Sequence, residues 1–321
     1  MNSISKALMR LIPGRKNRKT DGWGQTKPSA DFKSIATDKA HADDWLGRFR
    51  EIIGDPVNIL IDRVPEAGSV EGGCVTLHNG HRVALAGAAS YYGRFSEILV
   101  LNRGVHEPLE EYVFQEVLKE IKEEQPTMLE LGAYWAHYSM WMKKVRPGAR
   151  TWMVEPEKAN LDAGRLNFRN HGYSGDFIQA FVGPGQFSVS GFLEKERLDR
   201  LTLLHCDIQG YEDFLLEAEA ASLAEHRFRY VFISTHSQEI HGSVTRRLLD
   251  AGYRVEVSSD FEIQTTSHDG FIFASSPEVP PVFGSMVPFD RPGRLPETGA
   301  AKLARLVSIL EIRKGNAGRP D

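Results

Sequence analysis

Two acids and a glycine give the first chemical signal in this sequence. Met128 to Tyr138 reads M-L-E-L-G-A-Y-W-A-H-Y, and V-E-P follows at Val154 to Pro156. An apolar strand runs into Glu130 and Gly132, a tight turn and a helix follow, and a second strand ends in Glu155. Gly132 lets the backbone pass close under a ligand, because no Cβ intrudes. Glu155 is placed to accept both hydroxyls of a ribose, as the acid about 20 residues after a dinucleotide turn does. No G-x-G-x-x-G is present, so no second glycine clears room for a pyrophosphate. The pattern suits a nucleoside without phosphates.

Ligands of an open α/β sheet sit outside the carboxyl ends of the strands. That rule gathers Glu130, Gly132, Ala133 and Tyr134 after one strand, and Glu155 and Pro156 after the next. It adds Asp207 and Gln209 after a later strand, and Ser234 to His236 after its neighbour. An antiparallel last strand would start at the same edge, bringing His268 and Asp269. Asp207 and His236 are the expected general base and its orienting partner, in either order. For His236 a packed or surface histidine is the alternative. His241 reads as the exposed start of a helix, His205 as core and Cys206 as inert. His137 lies near the ligand or simply packs. A divalent ion on Asp207, His236, His268 and Asp269 has no tight ligand spacing behind it, and no metal is expected.

Four segments together resemble the FkbM-type S-adenosylmethionine-dependent methyltransferases: E-L-G-A-Y-W-A-H-Y-S, the E-P at 155–156, N-L-D-A-G-R-L-N-F-R-N at 160–170, and H-C-D-I-Q-G-Y-E at 205–212. The likeness spans about Val105 to Ser275. It departs at Tyr134, where the family has Asn, at Ala136, its second glycine, and at Gln209, the first acid of its last motif. The resemblance implies S-adenosylmethionine as cofactor and O-methylation of a sugar, glycan or secondary metabolite. It also implies cofactor contacts for Glu130, Gly132, Ala133, Tyr134, Glu155, Pro156, Ala180, Phe181 and Asp207. Glu130 either approaches the cofactor's ammonium group or orients the turn through backbone amides. Ala180 and Phe181 are adenine neighbours or core. Asn160, Asn167 and Asn170 match the family or only cap and exit a helix. Glu107, Pro108, Glu110 and Glu111 match a segment that helps cover the cofactor, or are solvated helix-start residues. The rival readings are a nucleotide-dependent oxidoreductase and a non-catalytic binding module with a degenerate pocket.

The 321 residues are 41% hydrophobic and 26% charged, ordinary values for a globular protein. The formal net charge of −4 predicts no general attraction to nucleic acid. Cys74 and Cys206 are too few for a disulfide framework, so a reducing cytoplasm is the expectation. Residues 1–40 are basic and rich in turn formers, and read as a disordered terminus. They carry Lys6, Arg10 and Arg15, with Ile4, Leu8 and Leu11 on one helical face. This stretch is a solvated chain end or a weak peripheral contact with an anionic membrane.

The positioning elements follow from pattern. Residues 41–104 read as a β-rich subdomain with a helix at 43–53, strands over 57–63, 73–78, 82–86 and 96–102, and a hairpin turn at Asn79-Gly80. Residues 105–275 read as the methyltransferase core. It opens with a helix at 107–124. Strands follow near 127–131, 151–155, 176–181, 202–207, 229–234, 253–258 and 270–274, with helices near 136–145, 157–170, 211–223 and 242–251. The loop between the last two strands is too short for a crossover helix, so they should pair antiparallel. The fold class is therefore α/β, a Rossmann-like doubly wound sheet of the class I methyltransferase type. Residues 276–321 are Pro-rich and close in an amphipathic helix that packs on the body or on a second subunit.

Overall fold

The computed structural model describes residues 45–87, 90–91, 93–183, 185–261 and 269–283. The basic terminus, His268 and the C-terminal amphipathic helix lie outside the described residues.

The described chain opens with helix α1 (Trp45–Gly54) and a 3-10 turn at Pro56–Leu60. A three-stranded antiparallel sheet follows: β1 (Val70–Glu71), β2 (Cys74–Thr76) and β3 (Arg82–Ala84). Helices α2 (Glu97–Leu101) and α3 (Pro108–Glu120) lead to the main sheet. Its strands are β4 (Thr127–Leu131), β5 (Arg150–Val154), β6 (Asp176–Ile178), β7 (Leu201–Cys206), β8 (Phe228–Thr235), β9 (Arg254–Ser259) and β10 (Gly270–Ser275). Between them run α4 (His137–Val145), α5 (Lys158–Asn170), α6 (Val189–Glu196), α7 (Glu212–Ala218), α8 (Ala220–Ala224) and α9 (Gln238–Asp250).

The strand order is β6-β5-β4-β7-β8-β10-β9. β10 runs antiparallel to both β8 and β9, and the pairs among β4 to β8 are parallel. This is the Rossmann-like, class I methyltransferase-type sheet that the short last loop foretells. The chain winds outward from β4 through β5 to β6, then returns to place β7 on the other side of β4. The crevice between the ends of β4 and β7 is thus the topological switch point, where such sheets bind ligands.

Both sheet faces are covered, so β7 and β10 are buried along their whole length. Period-two alternation divides the side chains between two cores. In β4, Leu129 and Leu131 join one cluster with Trp152, Leu204 and Ile233, while Met128 faces another with Val113, Trp141, Phe232 and Phe273. Glu130 shares the Met128 face and pairs in register with His205 of β7. A third cluster joins Val75, Leu77 and Val83 of the small sheet to Trp135, Met140 and Met153. The small sheet is therefore built onto the side of the molecule that carries the glycine turn.

Several expected elements change. The run at 57–63 is not a strand: Pro56 presets the first turn and Asp55 caps it, its Oδ1 accepting the Val57 amide at 2.9 Å. The run at 96–102 is helix α2, with Ile98 and Leu99 buried and Leu101 exposed. A five-residue apolar stretch has no period long enough to separate helix from strand. The helix expected at 211–223 is two, α7 and α8. Helix α6 was not anticipated; Ser188 caps it, its Oγ accepting the Gly191 amide at 3.1 Å. Among the described residues no helix is long and apolar enough to cross a membrane.

Candidate cofactor and acceptor cleft

A cleft of about 290 Å³ opens at the switch point. The glycine turn forms its floor. The amides of Gly132 and Ala133 donate to the carbonyl of Val154 at 2.9 and 3.0 Å, tying the turn to the end of β5. Gly132 has φ +73°, and a Cβ there would fall 1.7 Å from the carbonyl oxygen of Asp207. The glycine is required by this neighbouring backbone, not only by clearance for a ligand. Ala136 takes φ +63°, a left-handed conformation that favours glycine.

Glu155 ends β5 and is buried. Its Oε1 accepts from the Glu157 amide at 2.9 Å and from Asn160 Nδ2 at 3.3 Å, and its Oε2 from the Tyr134 amide at 3.1 Å. A carboxylate oxygen has two lone pairs, so Oε2 keeps one for a further donor. Pro156, Glu157 and Asn160 line the cleft beside it. Asn160 is thus a hook on Glu155 rather than a helix cap. Asn167 is likewise a hook, its Nδ2 donating to the Trp135 carbonyl at 3.1 Å.

Glu130, Gly132, Ala133, Tyr134 and Phe181 line the cleft as expected. Ala180 does not; it packs on the core beside Ile178, and Val182 lines the cleft in its place. Phe181 and Tyr211 are 39% and 41% exposed and meet edge to face at 4.9 Å. Together they form an aromatic wall of the cleft. Glu130 serves the turn: its Oε2 accepts the Ser139 amide at 3.0 Å inside the first turn of α4. Burial raises its pKa.

The other half of the cleft is lined by Tyr91, His106, Glu107, Tyr138, His205 and Asp207. Asp207 accepts from Gln209 Nε2 at 2.9 Å, and His236 Nε2 lies 3.3 Å from the same Oδ1. The other nitrogen of His236 contacts Glu212 Oε1 at 2.8 Å. That Glu212 oxygen also accepts the amides of Ile208 and Gly210, and so shapes the loop after β7. Burial opposes a charge on His236, but the hydrogen bonds it donates to Asp207 and Glu212 outweigh it and hold the pKa at about 10. Burial also works against ionised Asp207, yet the His236 contact lowers its pKa overall. His236 does not line the cleft: it stands behind Asp207 as a positioning residue, protonated at neutral pH. Asp207, Glu212 and His236 are close enough to suggest a metal. Both histidine nitrogens already face carboxylates, however, and an imidazolium satisfies the trio without one. Asp269 lies apart from the main cleft, in a small cavity with Glu107 and Ser234.

Glu107, read from the sequence as a cofactor cover or a solvated helix-start acid, lines the cleft. Its side chain is 30% exposed, and its Oε2 accepts from the Tyr138 hydroxyl at 2.8 Å. Burial, against the opposing charge of His106 and helped by Glu110 and Asp207, raises its pKa to about 7. Behind it, His205 Nε2 lies 2.5 Å from Glu110 Oε1, and Ser234 Oγ donates to Glu110 Oε2 at 2.7 Å. His241 is not exposed: it is buried between Thr235 Oγ1 and Ser258 Oγ, each at 2.9 Å, and burial lowers its pKa to about 4. Cys206 is buried, with its thiol pKa pushed up by that burial.

The chain matches no family model, and a search of curated proteins finds no match either. Solved structures with a similar backbone include a precorrin-6y C5,15-methyltransferase from Geobacter metallireducens, 15% identical, with 52% of this chain and 88% of that one covered at a TM-score of 0.39. A ribosomal protein L11 methylase from Lactobacillus delbrueckii is 13% identical, covering 54% and 80% at 0.38. A human methyltransferase 10 domain containing protein is 13% identical, covering 53% and 82% at 0.40. These are likenesses of backbone arrangement over about half of the chain.

Proposed function

We propose that this chain is an S-adenosylmethionine-dependent methyltransferase of the FkbM type that methylates a hydroxyl of a sugar, glycan or small metabolite. One observation carries the reading: a buried carboxylate at the tip of β5 keeps a lone pair beside a phosphate-free glycine turn at the switch point. Glu155 would accept one ribose hydroxyl through Oε2, Phe181 and Tyr211 would flank the adenine, and the turn from Gly132 to Tyr134 would carry the rest. When bound, the cofactor supplies an electrophilic methyl group on a sulfonium. The acceptor oxygen bonds to the methyl carbon as the sulfur–carbon bond breaks, in line, so alignment is most of the catalysis.

The acceptor also loses a proton. Glu107, with a pKa of about 7, is half ionised near neutrality and faces the same half of the cleft as Asp207. A base poised near the working pH is the efficient one. Asp207, ionised and held by His236, orients the acceptor hydroxyl. His236 is already protonated and takes no proton from the acceptor. The aromatic groups Tyr91 and Tyr138 with polar Glu107, His106 and Asp207 suit a hydroxylated ring better than an aliphatic acceptor.

Titration calorimetry tests the cofactor assignment, and methyl transfer from labelled S-adenosylmethionine into extract fractions tests the reaction. Saturable S-adenosylhomocysteine binding with no NAD binding, and label recovered in a base-stable ether, support the reading. NAD binding in place of S-adenosylhomocysteine would return it to the oxidoreductases. Neither binding nor transfer would leave a non-catalytic module.

A further inference from the structure

At the wall of the cleft, which His137 lines, three segments far apart in sequence bring buried ligating groups together. His78 follows β2, Glu111 lies in the first turn of α3, and His137 opens α4. All three are buried, and one ligand atom from each lies within 4.8 Å of the others. His137 is 2% exposed, and neither of its ring nitrogens has a hydrogen-bond partner among the described residues. A neutral imidazole always presents one N–H and one lone pair, so leaving both unmatched in a buried ring is unfavourable. Nε2 of His78 likewise lacks a hydrogen-bond partner, while Oε2 of Glu111 lies 2.9 Å from His78 Nδ1 and Oε1 lies 2.6 Å from His106 Nδ1.

We propose that His78, Glu111 and His137 bind a divalent transition-metal ion of the zinc class. Two imidazoles and one carboxylate are a donor set that such ions accept, with room for a further ligand. The surroundings are those of a prepared site. Nδ1 of His78 lies 2.9 Å from Glu111 Oε2, a separation that two ligands of one ion can share, and 3.1 Å from the Gly104 carbonyl. Gly104 must be glycine there, since a Cβ would fall 2.1 Å from the His78 amide nitrogen. Oε1 of Glu111 accepts the amides of His106 and Glu107 at 2.8 and 3.0 Å, while Oε2 remains on the histidine side. His137 is stacked on Trp135, their ring centroids 5.4 Å apart and their planes 17° from parallel. Groups oriented from behind in this way are characteristic of ligands held for a metal. The ion would tie the small sheet to the helix that starts directly after the glycine turn, a structural role separate from the transfer of methyl groups.

The test uses the full chain, purified without chelator or added metal. Elemental mass spectrometry is expected to find close to one equivalent of a divalent transition ion. The chelator-stripped protein is expected to take up one equivalent of zinc. X-ray absorption of the zinc-loaded wild type should show two imidazoles at about 2.0–2.1 Å. His137→Phe keeps the stacking ring without its nitrogens, and Glu111→Gln keeps the carbonyl that holds the loop amides. Each, when folded, should lose zinc affinity at least tenfold, whereas His236→Gln should not. Absence of saturable uptake by the wild type, a single-imidazole spectrum, or loss of uptake in His236→Gln alone overturns the proposal. None of these readouts depends on cofactor binding or turnover.

Discussion

Gly132 and Asp207 touch through their backbones. A Cβ built on Gly132 would lie 1.7 Å from the carbonyl oxygen of Asp207, while the Asp207 amide donates to the Leu131 carbonyl at 2.9 Å. The turn that would carry the cofactor and the residue that would orient the acceptor are therefore set against one another, and a displacement of either moves both. Gly132→Ala cannot relieve the clash by a change of rotamer, and φ +73° adds strain for any side chain. We expect a loss of ~3–5 kcal/mol, seen in thermal melting as a fall of roughly 6–20 °C. A variant that melts with the wild type would contradict this packing.

Glu155→Ala removes the acceptor for the ribose and also frees the amides of Tyr134 and Glu157. Each lost hydrogen bond to a charged acceptor is worth ~1.5–3 kcal/mol. S-adenosylhomocysteine affinity should fall about tenfold to a hundredfold in calorimetry, with the fold retained by circular dichroism. Unchanged affinity would remove Glu155 from the site.

Glu107→Gln should leave cofactor binding within a few-fold and lower kcat by ~10²–10⁴. In the wild type, a base with a pKa of about 7 must lose its proton to work, so the rate should climb with pH through that value and level off above it. The climb should vanish in the variant. A wild-type rate that is flat between pH 5.5 and 8.5, or an active variant, would assign the base elsewhere.

The pair Asp207–His236 makes a prediction about stability. The folded pKa of His236 is raised to about 10 from an ordinary 6.5, so its contribution is complete below pH 6.5 and is lost as pH rises through 10. Its side chain is 16% exposed, and the contribution is a few kcal/mol at most. Melting temperature should decline between about pH 7 and pH 10 in the wild type and decline less in His236→Gln, checked by calorimetry across that range. Parallel declines in the two proteins would count against the imidazolium.

The sheet and the edge of the site were legible because both follow from local rules. Glu130, Gly132, Glu155 and Asp207 all sit where an apolar strand runs out, and the short loop before Gly270 required the antiparallel pair. What was hidden lies in groups whose position depends on distant packing. Tyr91, His106 and Tyr211 reach the cleft from loops and a strand-end turn. The runs at 57–63 and 96–102 are too short to show a period, although Asp55-Pro56 and Ser96-Glu97 are helix-start signals. Ser188, three residues before Gly191, was a similar signal for α6. His241 read as exposed because it opens a helix, but β9 supplies Ser258 to bury it. His236 was placed correctly beside Asp207; the second acid, Glu212, which makes it a cation, comes from the far end of the same loop.

A crystal structure with bound S-adenosylhomocysteine examines the central claim directly. The account predicts a ribose hydroxyl within hydrogen-bond distance of Glu155 Oε2, adenine beside Phe181 and Tyr211, and sulfur directed toward the half of the cleft holding Glu107 and Asp207. A crevice left vacant between β4 and β7, with the ligand bound at another place, would contradict it.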